Sequence, residues 1–439
     1  MKKVRIVITI FLIGLIAIAW LANISNTIAK TEEYNSYIKS AESNMESSLY
    51  QKAITDYENA LSIKENESIR RELLKAYRLA YEDETIQDKK YVQALETFCK
   101  KYPKKADVWE ELIQLELDNG DYKDARNYYN KAVRAGAKSE KIDELKDIIN
   151  YSFKSNSRIY TEIIQTLDGY TSVYNGKKWG VMAPDGNWYY ESNYVFTSPT
   201  GSKKPILVTN ERDTRILNES GIVQAKTDDT VSYCRIINDG LVPIKDGEQW
   251  SFYNYKDKKF ISDKYDDATC FEDGIAYVKQ NNKWYLIDTS GKLNKDVVFD
   301  NIVFLTSGEF ASDGVMVACR NGNYGLYTTG GKSVSDFSVP EMDVNMGGLI
   351  AFKGANGKWG FINAKGKTVI DPTYEKAKSF SGGLAAVLVN GKWGFINESN
   401  KLVIPNEYVD AGYFSSKGVC FVSESTGEFH MISLRFGDS

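Results

Sequence analysis

The chain has 439 residues, long enough for two or three domains, and a nearly balanced net charge of −4. With no basic excess on offer, a nucleic-acid footprint is excluded. Five dispersed cysteines, Cys99, Cys234, Cys270, Cys319 and Cys420, include no C-x-x-C pair. They argue against a disulfide framework or a zinc site and read as small buried apolar residues.

Lys2, Lys3 and Arg5 precede Ile6–Ala22, an uncharged run of 17 residues. The run is just long enough to span a bilayer and long for a signal-peptide core, and the leading cations hold the N-terminus in the cytoplasm. Residues 1–29 are therefore expected to be a transmembrane signal-anchor. That makes a single-pass protein of the cell membrane with its C-terminal bulk extracytoplasmic. Ala29, two residues after Thr27, offers a weak cleavage site, so a cleaved and secreted chain is the alternative.

From residue 30 to 153 the apolar period is helical. Trp109, Leu112, Ile113, Ala125, Tyr129 and Ala132 sit at the offsets of a helix–turn–helix pair, broken at Asn119-Gly120-Asp121, with small residues where two helices cross. Tyr37, Ala41, Ala53, Tyr57 and Ala60 repeat the pattern, and Ala76-Tyr77, Ala94, Phe98 and Pro103 make an irregular copy between. Lys141 to Phe153 reads as an amphipathic capping helix. These residues resemble the tetratricopeptide (TPR) repeat; a plain helical-hairpin bundle without a groove is the alternative. The resemblance implies a concave peptide groove, at Asn35, Ile38, Glu42 and Glu46 in one repeat and Asp107, Glu110, Gln114 and Asp118 in the other. Such a groove carries no basic clamp and is expected to prefer neutral or basic segments.

Residues 158–439 change to β patterning. Asn390-Gly391 supplies the two left-handed positions of a tight hairpin between Leu384–Val389 and Lys392–Asn397. The stretch NGKWGFIN recurs at Asn356–Asn363, each copy followed by a turn, a Val-Ile pair closed by proline (Val369-Ile370 and Pro372, Val403-Ile404 and Pro405) and Y-x-x-A-x-x-F (Tyr374 to Phe380, Tyr408 to Phe414). Sliding this template gives anchors at Trp179, Thr214, Trp250, Trp284, Tyr324, Trp359, Trp393 and Phe429, about 35 residues apart, with an insertion around Leu305–Asp313. A fixed period in this range marks a repeat array. The two best copies are similar to the WG (KWG) repeat of bacterial proteins, which implies a β-repeat module with a binding role and no catalytic residues. The last copy stops before its Y-x-x-A-x-x-F segment, while Tyr160-x-x-Ile163-x-x-Thr166 stands ahead of the first. Ends that complete one unit predict a β-propeller-like ring of about eight short blades, three strands each, without exposed sheet edges. An open β-solenoid is the alternative.

Chemistry is scarce in the residues. Gly360–Thr368 has the wrong spacer for a phosphate loop and reads as a hairpin turn. His430, the single histidine, stands in an anchor strand and reads as packing. The repeated anchors suit blade packing better than a sugar-stacking platform. The expectation is a multidomain chain: transmembrane helix, all-α TPR-like repeats, then the all-β ring. It would act as a non-enzymatic, membrane-anchored scaffold for protein partners, with no cofactor or metal. A cell-envelope carbohydrate receptor or hydrolase using the mouth of the ring, with cell-wall glycan as ligand, is the alternative.

Overall fold

The structure is a computed structural model that describes the backbone of residues 2–435 and the side chains of Ile18 and of residues 20–435. It divides into two compact units, residues 1–149 and 150–439.

The first unit is helical. Its helix α1 (Lys2–Glu46) runs unbroken for 45 residues. This corrects the expected transmembrane segment at 1–29: among the described residues no helix is long and apolar enough to cross a membrane. Most of Ile6–Ala22 lies outside the described side chains. Beyond it, from Asn23 on, the same helix turns polar, and Thr27 and Thr31 donate to the carbonyls of Asn23 and Thr27.

After α1 come α2 (Tyr50–Ile63), α3 (Glu67–Glu82), α4 (Asp88–Lys101), α5 (Ala106–Asp118), α6 (Tyr122–Ala135) and α7 (Glu140–Tyr151). Asn66 caps α3 by accepting the amides of Ser68 and Ile69, and Asp121 caps α6 through the Asp124 amide. Ala41, Ala53, Ala60, Ala76, Ala80, Ala125 and Ala132 are all fully buried, the small residues that let neighbouring helices approach. α3 belongs to two cores, facing α1 and α2 with Leu73, Ala76 and Ala80 and facing the later helices with Leu74. Phe153, expected to close the last helix, is instead in a strand.

The second unit is a closed ring of eight sheets, a β-propeller, and not an open solenoid. Blade 7 shows the scheme: Lys376–Ala377 pairs with Leu384–Val389, that strand with Lys392–Asn397, and that with Leu402–Tyr408. Asn390 and Gly391 form the hairpin turn at φ 51° and 73°. The glycine of the W-G pair has a different duty. The outer strand shifts register beside Gly394, where a Cβ would lie 2.7 Å from the Ile404 carbonyl oxygen. Gly360 repeats this, with the Ile370 oxygen at 2.5 Å from such a Cβ. Only glycine admits that approach.

Seven of the eight blades have four strands, not the three expected. The inner strand shrinks to two residues in most of them, so four strands fit the short period. Blade 3 is the thinnest, with Leu241–Asp246, Gln249–Asn254 and Lys259–Phe260 in its ladder and one Cys234–Ile244 bridge in place of the inner strand. Blade 8 joins the two ends of the β region. Asp410–Ala411, Val419–Ser425 and Glu428–Leu434 come from one end, and Phe153–Ser155 from the other supplies the outer strand, pairing with Ile432, Ser433 and Leu434.

Candidate functional site

The helical unit separates the expected groove residues. Asn35, Ile38, Glu42 and Glu46 lie on α1, and Asp107, Glu110, Gln114 and Asp118 lie on α5. α3 stands between them in the order of packing, and it contributes residues that the irregular middle repeat concealed. Arg71 donates to Asp107 at 2.5 Å and holds its carboxyl below the usual range. Arg78 grips Glu111 through two nitrogens at 2.7 and 2.8 Å, and the Tyr91 hydroxyl donates to the same carboxylate. Glu110 accepts the Ser139 hydroxyl, and Gln114 donates to Asp118. The α5 carboxylates are thus ordered by partners, while Glu42 and Glu46 are solvent-exposed. On another side of α5, burial pushes Glu116 up to about 7, with Asp124 and Asp121 adding to the shift.

In the ring, each anchor occupies the same place at the start of the third strand. Trp179, Trp250, Trp284 and Trp359 are buried, and Tyr324, Trp393 and Phe429 are half-buried. They are paired in turn with Tyr194, Tyr265, Phe299, Tyr374, Val339, Tyr408 and Tyr160, of which Tyr265, Val339 and Tyr160 form single bridges outside the named strands. Trp179 meets Phe196 edge-on and Trp284 meets Phe304, each aromatic belonging to the following blade. The Arg235 guanidinium lies 3.9 Å from the centre of the Trp250 ring. The buried rings are core, set blade against blade. Blade 2 departs from the pattern, pairing Thr214 with Thr227.

The centre of the ring holds polar residues that sequence reasoning missed. The insertion around Leu305–Asp313 turns inward at Ser307, Gly308 and Glu309. Its Ser307 and Gly308 carbonyls accept the amides of Ile236 and Cys270. Glu309, almost wholly buried, accepts the Leu167 amide at 3.0 Å and faces Lys204 at 3.4 Å. One loop is thereby tied to blades 1 to 4. Gly308 sits at φ +95° with a Cβ position 2.7 Å from Arg235 and 2.8 Å from the Cys270 amide, so the turn requires glycine. Burial raises the Glu309 carboxyl against the pull of Lys204, and burial with Glu309 nearby pushes Glu272 up to about 8. Farther round, the Tyr413 hydroxyl donates to Asp343, and Gln165 exchanges hydrogen bonds with the Tyr413 backbone. The one signal in the sequence was a charged residue directly after a buried apolar residue at the inner-strand position, as in Cys234-Arg235, Ala377-Lys378 and Met342-Asp343.

The remaining candidates resolve into structure. Asn363 accepts the amides of Lys365 and Lys367, closing a hairpin turn where the phosphate-loop spacing failed. His430 is half-buried beside Glu424 at 3.4 Å. All five cysteines are buried and unbridged. Among the described residues no group of acidic, cysteine and histidine side chains could hold a metal ion.

Three stretches of the chain, residues 250–284, 359–393 and 393–425, match the family model of the WG containing repeat. Each begins on an anchor, Trp250, Trp359 or Trp393, and these are WG repeats. No characterised protein sequence matches the chain. Among solved structures it is similar to the Sgt2 TPR domain from Aspergillus fumigatus, at 25% identity over 27% of this chain and 76% of that one, TM-score 0.21. It is similar to the Dos1 propeller at 11% identity over 66% and 97%, TM-score 0.39. The Pan2 WD40 domain of Neurospora crassa is 10% identical over 62% and 88%, TM-score 0.33.

Proposed function

We propose that this chain of WG repeats is a non-enzymatic scaffold that binds other proteins, and that its helical unit is tetratricopeptide-like. In that reading the pairs α1/α2, α3/α4 and α5/α6 are the repeats, α7 is the cap, and the first helices of the pairs carry the peptide-binding face. The observation that supports it is the row of partnered charges between α3 and α5, Arg71 with Asp107 and Arg78 with Glu111. Charged groups held in place on rigid helices recognise a partner without first being ordered. Carboxylates at Glu42, Glu46, Asp107, Glu110, Glu111 and Asp118 still outnumber the two arginines, so the face suits neutral or basic segments over acidic ones.

Matched acidic, neutral and basic peptides titrated into the whole chain test this. The basic peptide binds most tightly, with an association rate that falls as salt rises. Asp107→Lys with Glu110→Lys reverses the preference. Tighter binding of the acidic peptide to the unaltered chain overturns the proposal.

A further inference from the structure

The helical unit sorts its charge by helix. α5 carries Asp107, Glu110, Glu111, Glu116 and Asp118 and no cation. Residues 88–105, α4 and the turn after it, hold six lysines against two acids, and residues 122–138, α6 and its exit, hold five cations against Asp124 alone. Of α1 to α7, only α4 and α6 have basic residues in their last turn, Lys100, Lys101 and Arg134. The two helices are neighbours, since the Tyr128 hydroxyl on α6 donates to Glu96 on α4 at 2.9 Å. Lys100 of α4 and Lys131 and Arg134 of α6 line the groove between them.

The floor of this groove is closed. Cys99, Trp109 and Tyr128 are buried in one packed core, and the Trp109 indole donates to the Pro103 carbonyl at 2.9 Å. Whatever binds must lie over the groove, held by its rim, and the rim is cationic. Cations elsewhere in the unit are engaged: Arg70 and Lys101 with Glu65, Lys105 with Glu67, Arg71 with Asp107, Arg78 with Glu111. Lys100, Lys131 and Arg134 are exposed and meet no carboxylate among the described residues. Lys131 rests over the Tyr128 ring, 4.8 Å from its centre, and Glu96, the one acid at the groove, is taken by the Tyr128 hydroxyl. Exposed cations without partners attract anions at little desolvation cost.

The anion is a short one. Three separate cations on two helices suit carboxylates spaced along a chain. A long polyanion that left the groove would meet the five acids of α5, whose Trp109 forms the floor.

We infer that the groove between α4 and α6 binds a short acidic segment of a partner protein, rich in Asp and Glu. The inference rests on the scaffold reading and adds to the helical unit a second surface, opposite in charge to the first. Three cations against Glu96 make a weaker field than the six carboxylates against two arginines on the first-helix face, so the acidic segment is the weaker ligand of the two.

Fluorescence anisotropy on the full chain tests this, with a labelled Gly-Glu-Glu-Gly-Glu-Glu-Gly peptide as probe and its all-glutamine counterpart as control. The glutamate peptide binds saturably and the glutamine peptide does not. Lys131→Gln with Arg134→Gln weakens binding at least tenfold and leaves the basic peptide's binding unchanged. If that variant lowers the melting temperature, Lys100→Gln on the other helix serves instead and weakens binding severalfold. Absence of binding overturns the inference, as does binding unaltered by both variants. Tighter binding of inorganic polyphosphate than of the glutamate peptide overturns the assignment to a carboxylate segment. The basic peptide reports on the first-helix face alone, so its failure to bind is told apart from failure of the groove.

Discussion

Tyr160 and Phe429 exchange two backbone hydrogen bonds of 2.8 Å, in the pairing that Tyr408 keeps with Trp393 inside blade 7. The first turn of the β region and its last strand thus meet as neighbours within one repeat. Tyr160 is 1% exposed and its ring meets Phe421 edge-on. Tyr160→Ala is expected to cost about 3–5 kcal/mol, as large-to-small changes in a core do. Hydrogen exchange should show the loss first in Val419–Leu434. Equal loss around all blades would contradict a closure held at this point.

The anchors differ in burial, and their substitutions should rank accordingly. Trp359 is 7% exposed, whereas Trp393 is half-buried. Trp359→Ala is expected to lose about 3–5 kcal/mol, and Trp393→Ala measurably less, in denaturant unfolding. The opposite order would show that exposure does not govern these sites.

Gly308 provides a test of the central loop. Alanine there must hold a left-handed backbone and press on the Cys270 amide, a strain of about 1–3 kcal/mol. The melting temperature of Gly308→Ala should fall; an unchanged one would mean that the loop relaxes freely.

Stability should also follow pH through Glu272, whose carboxyl is raised to about 8, first by burial and then by Glu309. A raised folded-state value favours the protonated form in the native protein. Its stabilising contribution is complete below the ordinary carboxyl value of 4.5 and is lost as pH rises through 8. Glu272→Gln should flatten that fall between pH 4.5 and 8. Parallel curves for the two proteins would reject Glu272 as the group responsible.

Cys234, Cys270 and Cys420 are fully buried, and burial pushes the Cys420 thiol up to about 12. Thiolate is the reactive form. In the native chain an aromatic disulfide reagent is expected to label none of the five cysteines, and all five once denaturant unfolds it. Rapid native labelling at Cys319, the one with a little exposure, would place it at an opening edge.

The ring was legible in the sequence wherever a backbone requirement recurs. Asn390-Gly391 is fixed by its turn, and Gly360 and Gly394 by the approach of the outer strand, so their spacing reports the blades directly. A period of about 35 residues is short for a four-stranded blade, which is why three strands were expected; inner strands of only two residues make room for the fourth. The contact of Glu309 with Leu167 joins residues far apart in the chain and leaves no local pattern. Arg71 and Arg78 were overlooked because the middle helical repeat departs from the spacing of its neighbours. The apolar run after Arg5 suggested a membrane span, but α1 continues unbroken into the helical unit and becomes polar from Asn23.

The pairing of Phe153–Ser155 with Ile432–Leu434 sets an order for the birth of the molecule. The short outer strand of blade 8 leaves the ribosome before any blade exists and must wait, unpaired, until the final strand has been made. Blades 1 to 7 can form as they emerge, each sealing against the one before. The eighth can form only after translation of Leu434, so a message cut short near its end would yield seven assembled blades with an open seam. Such a product would expose the apolar faces of its first and last blades, and quality control could recognise it by them.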